Sequence, residues 1–448
     1  MADMNRRLKI AARVVTGLFL LGFALPARGG AGQAARPNII LILADDLGID
    51  GVHYSGGPFH TPNIDALAKG GLIFENCYST PLCGPSRCQM LTGRYPFRTG
   101  LINNRSADAI QPGREVMLPG VLKKAGYATA CAGKWGQMSY GPNEWGFDES
   151  IIFSNGRGRY WLDKVGGVYL LNGKKASAPG RYFPDLAHEF VVDFIERNKD
   201  RPFFVYYPMP HVHGPILPTP DSKPGADKTR LYADNIEYMD KLVGRLVDEL
   251  DRRHLREKTL VIFTGDNGTA RFGIAAGSNV NGRLINGQKG TMLEGGSRVP
   301  LVANWPGTTP AGRINRDLVD FSDFFATFAG LAGAPLPEGV VLDSHSFAAQ
   351  IKGEKGEPRD WIYVELNGES YVREARFKLT NKGNLFDLAE APFDEKLVAG
   401  DTSDEAAIAA RKKLQKVLDD HPTAPGKEVA RKKDRRKGLS PKGTGRAP

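Results

Sequence analysis

The chain has 448 residues, 41% of them hydrophobic and 9% aromatic, which is enough for a large core and excludes bulk disorder. Its net charge of +10 sits at the two ends: residues 1–36 hold six Arg/Lys against one Asp, and residues 427–448 hold nine against two acids. The body between is close to neutral, so a globally basic nucleic-acid-binding fold is excluded.

In chain order, "MNRRLKIAARVVTGLFLLGFALPARGGAGQAA" opens with Arg6, Arg7, Lys9 and Arg13, runs apolar from Val14 to Leu25, and ends in small residues. That pattern predicts a secretory signal peptide over residues 1–35, because the apolar run is short for a membrane span, which takes ~20 residues. Export to the periplasm or the extracellular space follows, with no stable membrane insertion. Such compartments permit disulfides, and Cys77, Cys83, Cys88 and Cys131 are the cysteines available. None has zinc-ligand spacing, and the sequence does not fix a pairing among Cys77, Cys88 and Cys131.

"PNIILILADDLG" reads as a strand buried on both faces, ending in Asp45 and Asp46. "LPGVLKKAGYATACAGK" reads as helix then strand, with Gly126 as the stop. A helix from about Asp185 leads into the strand Phe203 to Tyr207, and a longer helix leads into "KTLVIFTGDNG". "VPLVANWPG" then reads as a strand and "LVDFSDFFATFAGLAG" as a helix. This alternation predicts an α/β fold with a large doubly wound, mainly parallel sheet over residues 36–355. Residues 356–425 change pattern: short alternating strands with Asn-Gly and Lys-Gly turns predict a smaller C-terminal antiparallel sheet, followed by a helix over roughly Asp404 to Asp419. Residues 426–448 lack an apolar face and read as a disordered basic tail.

Ligands of such sheets gather at the carboxyl ends of the strands. Asp45 and Asp46 leave one strand, Asp266 and Asn267 another, His211 and His213 a third. Four hard oxygen-donor side chains converging on one point imply a cation such as Ca²⁺ or Mg²⁺; helix caps and turns are the alternative use of the same residue types. Arg87, Lys134 and Lys289 would complete a pocket for a tetrahedral oxyanion.

These residues also carry a family resemblance. "CGPSRCQMLTGR" resembles the sulfatase signature, in which Cys-x-Pro-Ser-Arg directs oxidation of the cysteine to formylglycine. "TPNIDALAKGGLIFENCYS", "GKWG", "TGDNG", "KGTMLEGGSRVP" and "REARFKLTNKGNLFDL" extend the similarity, which covers roughly Pro37 to Gly400. The resemblance implies that Cys83 becomes an aldehyde whose hydrate attacks sulfur, and that a formylglycine-generating enzyme acts during maturation. It implies one Ca²⁺ held by Asp45, Asp46, Asp266, Asn267 and position 83. Arg87 and Lys134 would steady the diol and sulfate, Lys289 would bind sulfate, and His213, with His211 as competitor, would protonate the leaving group. The implied partner is a sulfated small molecule or glycan.

One position departs from the family pattern: Gly136 in "GKWGQM" stands where a histidine usually follows the tryptophan. Two alternatives stay open at this point, a phosphodiesterase or phosphonate hydrolase of the same superfamily and a non-catalytic binder of sulfated glycans. Substrate selectivity would lie in loops such as the one holding Arg157, Arg159, Tyr160 and Trp161, which suggest a sugar-stacking, anion-friendly wall; a solvated loop with incidental aromatics is the competing reading.

Overall fold

The computed structural model describes residues 36–136, 138–153, 160–270 and 279–425. The leader, the basic tail, Arg157, Arg159 and Gln137 lie outside the described residues. No helix among the described residues is long and apolar enough to cross a membrane.

The first strands are β1 (Asn38–Ala44), β2 (Leu72–Tyr78), β3 (Ala128–Gly133), β4 (Glu149–Phe153), β5 (Val168–Leu171) and β6 (Lys174–Ser177). They are followed by β7 (Phe203–Met209), β8 (Thr259–Gly265), β9 (Asn279–Val280), β10 (Arg283–Leu284), β11 (Arg298–Val299), β12 (Leu301–Asn304) and β13 (Arg313–Asp320). All of these except the β9–β10 hairpin form one sheet in the order β11-β2-β12-β8-β1-β7-β3-β4-β5-β6, with β13 beside β2. The centre is parallel: β1 pairs with β7 and β8, and β3 with β7 and β4. "VPLVANWPG" does form strand β12, but it runs antiparallel to both β8 and β2.

Every residue of β1 is buried, and alternate residues serve opposite cores. Ile39, Leu41 and Leu43 join one core with Leu91, Leu122 and Phe328, whereas Ile40, Ile42 and Ala44 join the other with Ile64, Val191 and Met239. The first face is covered by α2 (Cys83–Thr92), α4 (Leu118–Lys124) and α8 (Asp323–Ala332); α3 (Pro96–Thr99) is a short turn after α2, and α7 (Glu294–Ser297) another before β11. The second face is covered by α1 (Pro62–Lys69), α5 (Phe183–Asn198) and α6 (Lys228–Arg252). Helices on both faces of a mainly parallel sheet are the doubly wound arrangement.

One element boundary differs from expectation. Leu318 to Asp320 belong to β13, paired with Asn76 to Tyr78, and helix α8 starts only at Asp323. An apolar run of that kind fits either state, and the free edge of β2 decided it.

After α9 (Ala348–Ile351) the chain forms a second sheet, β14 (Ile362–Leu366), β15 (Glu369–Arg373), β16 (Phe377–Thr380), β17 (Leu385–Asp387) and β18 (Lys396–Leu397), antiparallel throughout. Asn367 and Gly368 both take positive φ, 49° and 94°, which is the turn that a two-residue hairpin prefers. Helix α10 (Glu405–Asp420) packs Leu414 and Leu418 on this sheet and is capped by Asp404, whose side chain accepts from Ala406 N and Ala407 N.

Candidate active site

Backbone pairing runs one residue past the strand ends and lines up the chemistry. Asp45 N donates to His211 O at 2.7 Å, Asp266 N to Ala44 O at 2.9 Å, and Lys134 N to Pro208 O at 2.7 Å. Asp45, Lys134 and Asp266 therefore stand at the carboxyl edge of three adjacent parts of the sheet. Asp46 follows with φ of 65°, a left-handed conformation that costs about 1–2 kcal/mol in a non-glycine residue. Its amide is held by Asp266 Oδ1 at 3.0 Å.

Helix α2 begins at Cys83 and is buried along its whole length, so Arg87 reaches the site from below. Arg87 donates from Nε and Nη2 to Asp266 Oδ2 at 2.9 and 2.7 Å and from Nη1 to Lys134 O at 2.6 Å. Lys134 Nζ donates to Asp45 Oδ1 at 2.6 Å. Lys289 comes from the loop after β10 and pairs with Asp46 Oδ1, its side chain 14% exposed. His213 Nε2 lies 3.8 Å from Asp46 Oδ2. One ligand atom each from Asp45, Cys83 and Asp266 fall within 4.8 Å of one another, as do those of Asp45, Asp46 and His213. No disulfide joins the four cysteines, each of which is buried.

Three acids and three bases thus meet in a dry space. Burial would raise the Asp45 carboxyl, but Lys134, then His213, Arg87 and Lys289, hold it well below the usual carboxylate range. Burial pushes Asp266 up against the pull of Arg87, with Asp45 and Asp46 adding to the push. Burial also works against the Lys289 ammonium, yet Asp46 above all keeps it firmly protonated.

Among the described residues, Asp45 Oδ2, Asp46 Oδ2 and Asn267 Oδ1 in this space have no hydrogen-bond donor. The amide of Asn267 is oriented by its nitrogen, which donates to Asp46 Oδ1 at 3.0 Å and to Gly268 O at 2.9 Å. Buried acceptors are nearly always satisfied in folded proteins, so three left over side by side fit a hard cation. Asp45 is shared by the two groups of close ligand atoms, and Asn267 joins them through its bond to Asp46.

The two histidines separate. His211 is fully buried, its Nε2 3.0 Å from the Tyr182 hydroxyl, and burial pushes it down to about 3 despite Asp45. It is a neutral packing residue whose backbone anchors Asp45, which speaks against it as the competing proton donor. His213 is 22% exposed, and its Nδ1 faces Gly214 O at 2.6 Å. With Nδ1–H donating to that carbonyl, Nε2 carries a proton only in the imidazolium form.

Sequence reasoning missed Asn104. Its Oδ1 accepts from Gly84 N at 2.9 Å, capping the uncapped start of α2, and that fixes Nδ2 toward Cys83 Sγ at 3.4 Å. No local pattern marks Asn104; only the return of the chain after α3 brings it there. The sugar-stacking wall is not supported at Tyr160, which is fully buried and donates to Pro210 O and His213 O. Gly136 has φ of 102°, and a Cβ there would stand 3.1 Å from Arg87 Cδ. A side chain at 136 would therefore sit on a strained backbone and press on the Arg87 side chain.

Comparison with known proteins gives a consistent picture. The family model described as Sulfatase matches residues 37–334. N-acetylgalactosamine-6-sulfatase of Canis lupus familiaris is 34% identical over 378 residues, 77% of this chain and 71% of its own length. Arylsulfatase A of Homo sapiens is 34% identical over 397 residues, covering 79% and 76%. Among solved structures, Ps i-CgsB in complex with k-i-k-neocarrahexaose superposes with a TM-score of 0.74 at 29% identity, covering 86% of this chain and 92% of that one.

Proposed function

Because the chain belongs to the sulfatase family, we propose that this sulfatase hydrolyses carbohydrate sulfate esters at position 83 with one bound calcium ion. The observation that carries the reading is the trio of buried, donorless oxygens on Asp45, Asp46 and Asn267 beside Cys83 and three fixed cations. Ca²⁺, held by those residues with Asp266, would supply Lewis acidity, and formylglycine derived from Cys83 would supply the attacking oxygen.

The chain's own residues do the rest. Arg87 and Lys134 are tied to Asp266 and Asp45 and set a positive floor for sulfate oxygens. Lys289, the most exposed of the three cations, meets the anion from the loop side. His213 Nε2–H gives its proton to the ester oxygen as the sulfur–oxygen bond breaks, so the alcohol leaves neutral and the ring retakes a proton from water. Asn104 Nδ2 donates to the side-chain atom at position 83; an amide is a donor and not a base, so it orients that atom without deprotonating it. The relatives named N-acetylgalactosamine-6-sulfatase and the k-i-k-neocarrahexaose in complex with Ps i-CgsB support a sulfated glycan as the substrate class.

The test is release of inorganic sulfate from a panel of sulfated oligosaccharides and aryl sulfates, with phosphate esters alongside. Wild type releases sulfate and Cys83→Ala does not, at an unchanged melting temperature. Activity of Cys83→Ala near wild type removes position 83 from the mechanism; binding of sulfated sugar without turnover favours the non-catalytic reading.

A further inference from the structure

The loop that carries Lys289 is held at both ends by the C-terminal sheet. Asn286 N donates to Pro392 O at 2.8 Å on one side. On the other, Lys378 Nζ on β16 donates to Met292 O at 3.2 Å, and Glu395 Oε1 accepts from Glu294 N at 2.7 Å. Lys378 and Glu395 pair with each other, their side chains almost wholly buried. The tip of the loop touches the catalytic sheet through Lys289 N to Thr269 O at 3.1 Å and Gly290 N to Pro81 O at 2.9 Å.

Burying a lysine and a glutamate together costs several kcal/mol per ion, and packed apolar residues of the same volume are often as stable. What apolar residues cannot do is grip a carbonyl and an amide two residues apart in the same loop. Both gripped groups, Met292 O and Glu294 N, lie within five residues of Lys289, in a segment containing Gly287 and Gly290, both at positive φ. Within the segment Gly295 N donates to Asn286 O at 2.7 Å and Thr291 N to Gln288 O at 3.0 Å, so its own turns hold its shape and the outside grips set where it sits.

We propose that Lys378 and Glu395 are positioning residues for Lys289, holding segment 286–294 where the Lys289 ammonium reaches the anion. This rests on the reading of Lys289 as a sulfate ligand and deepens it. The second sheet is then part of the active site's construction, although none of its residues faces the reacting atoms.

The experiment titrates inorganic sulfate calorimetrically into the purified full-length enzyme. Glu395→Gln, Lys378→Met and Lys289→Ala are compared singly and in pairs, with kcat and KM recorded for each. Glu395→Gln and Lys378→Met are expected to weaken sulfate binding about tenfold, since small misplacement of a charged clamp has effects of that order or more. In the Lys289→Ala background either change should weaken it no further, the signature of two residues acting through one. Leu414→Ala, which loosens the core between α10 and the second sheet, serves as the stability control: it should lower the melting temperature and leave sulfate affinity unchanged. The proposal is overturned if Glu395→Gln weakens sulfate equally with and without Lys289, or if Leu414→Ala weakens it as much. If Lys289→Ala alone leaves sulfate affinity at the wild-type level, the sulfate role of Lys289 itself falls, and the proposal with it.

Discussion

Two clusters of buried charge flank the segment from Asn286 to Ser297. At the candidate active site Asp45, Asp46 and Asp266 face Arg87, Lys134 and Lys289; under the second sheet Glu294 and Glu395 face Arg373 and Lys378. Both pair their acids with bases in largely buried surroundings, and Arg298, 3.7 Å from Glu294, adds a further cation to the second. The second cluster is closed: Glu294 accepts from Arg373 at 3.1 and 3.2 Å and from Tyr78 at 2.8 Å, and none of its side-chain oxygens is left without a donor. The first retains three acceptors with nothing to accept. Paired buried charge alone therefore does not mark a ligand site, and what distinguishes these two clusters is the group of acceptors left over in the first. Glu365 on β14 shows a third solution: it accepts from Ala424 N at 2.8 Å, and burial pushes it up to about 7, so it holds its proton through the acid range and gives it up near neutrality.

Breaking the closed cluster should have the largest effect. Arg373→Met takes the nearest cation from Glu294, leaving Arg298 at 3.7 Å and the Tyr78 hydroxyl, and is expected to cost about 3–5 kcal/mol in denaturant unfolding. A loss below about 1 kcal/mol would mean the cluster is not a clamp. Next comes Glu365→Gln. Its native carboxyl titrates higher than in the unfolded chain, so its stabilising contribution is complete below about pH 4.5 and is lost as pH rises through about 7. Above that pH the glutamine variant should be more stable than wild type by on the order of 3 kcal/mol, with the two converging in acid. Parallel stability curves from pH 4 to 9 would contradict the assignment.

The open cluster is probed by calcium. At about a hundred times its dissociation constant the ion should stabilise the wild type by about 2.7 kcal/mol in thermal unfolding. Lys378→Met should retain that gain and Asp46→Asn should lose it; equal gains in both would erase the distinction between the clusters. The smallest effect is expected from Gly136→Ala, about 1 kcal/mol of stability from its left-handed backbone, together with reduced turnover through pressure on Arg87. For the same reason Gly136→His should fail to raise activity, and a clear gain on the sulfate-release assay would show that position 136 accepts the ring.

Much of this was legible beforehand because it is local. β1 announces itself as an uninterrupted β-branched and leucine run, and the residues just beyond β1, β3, β7 and β8 had to share one edge once the sheet was parallel. What escaped is what only tertiary neighbours decide. Tyr160 looks like a surface aromatic until His211 and Tyr182 close over it. Asn104 sits in a polar loop with no periodicity. Lys378 lies on β16 and Glu395 just before β18, and nothing local marks either as buried; their burial follows from the loop they hold. Leu318 to Asp320 read as the start of a helix until β2 offers a pairing partner.

The alternation along β1 has one more consequence. Its odd and even residues serve different cores, and the strand hands over directly to Asp45 and Asp46. A shift of the strand by a single position would put each core's side chains into the other and exchange the two aspartates. Insertions and deletions are therefore expected to be tolerated far better at the outer β5–β6 hairpin, on the edge of the sheet, than in the central strand.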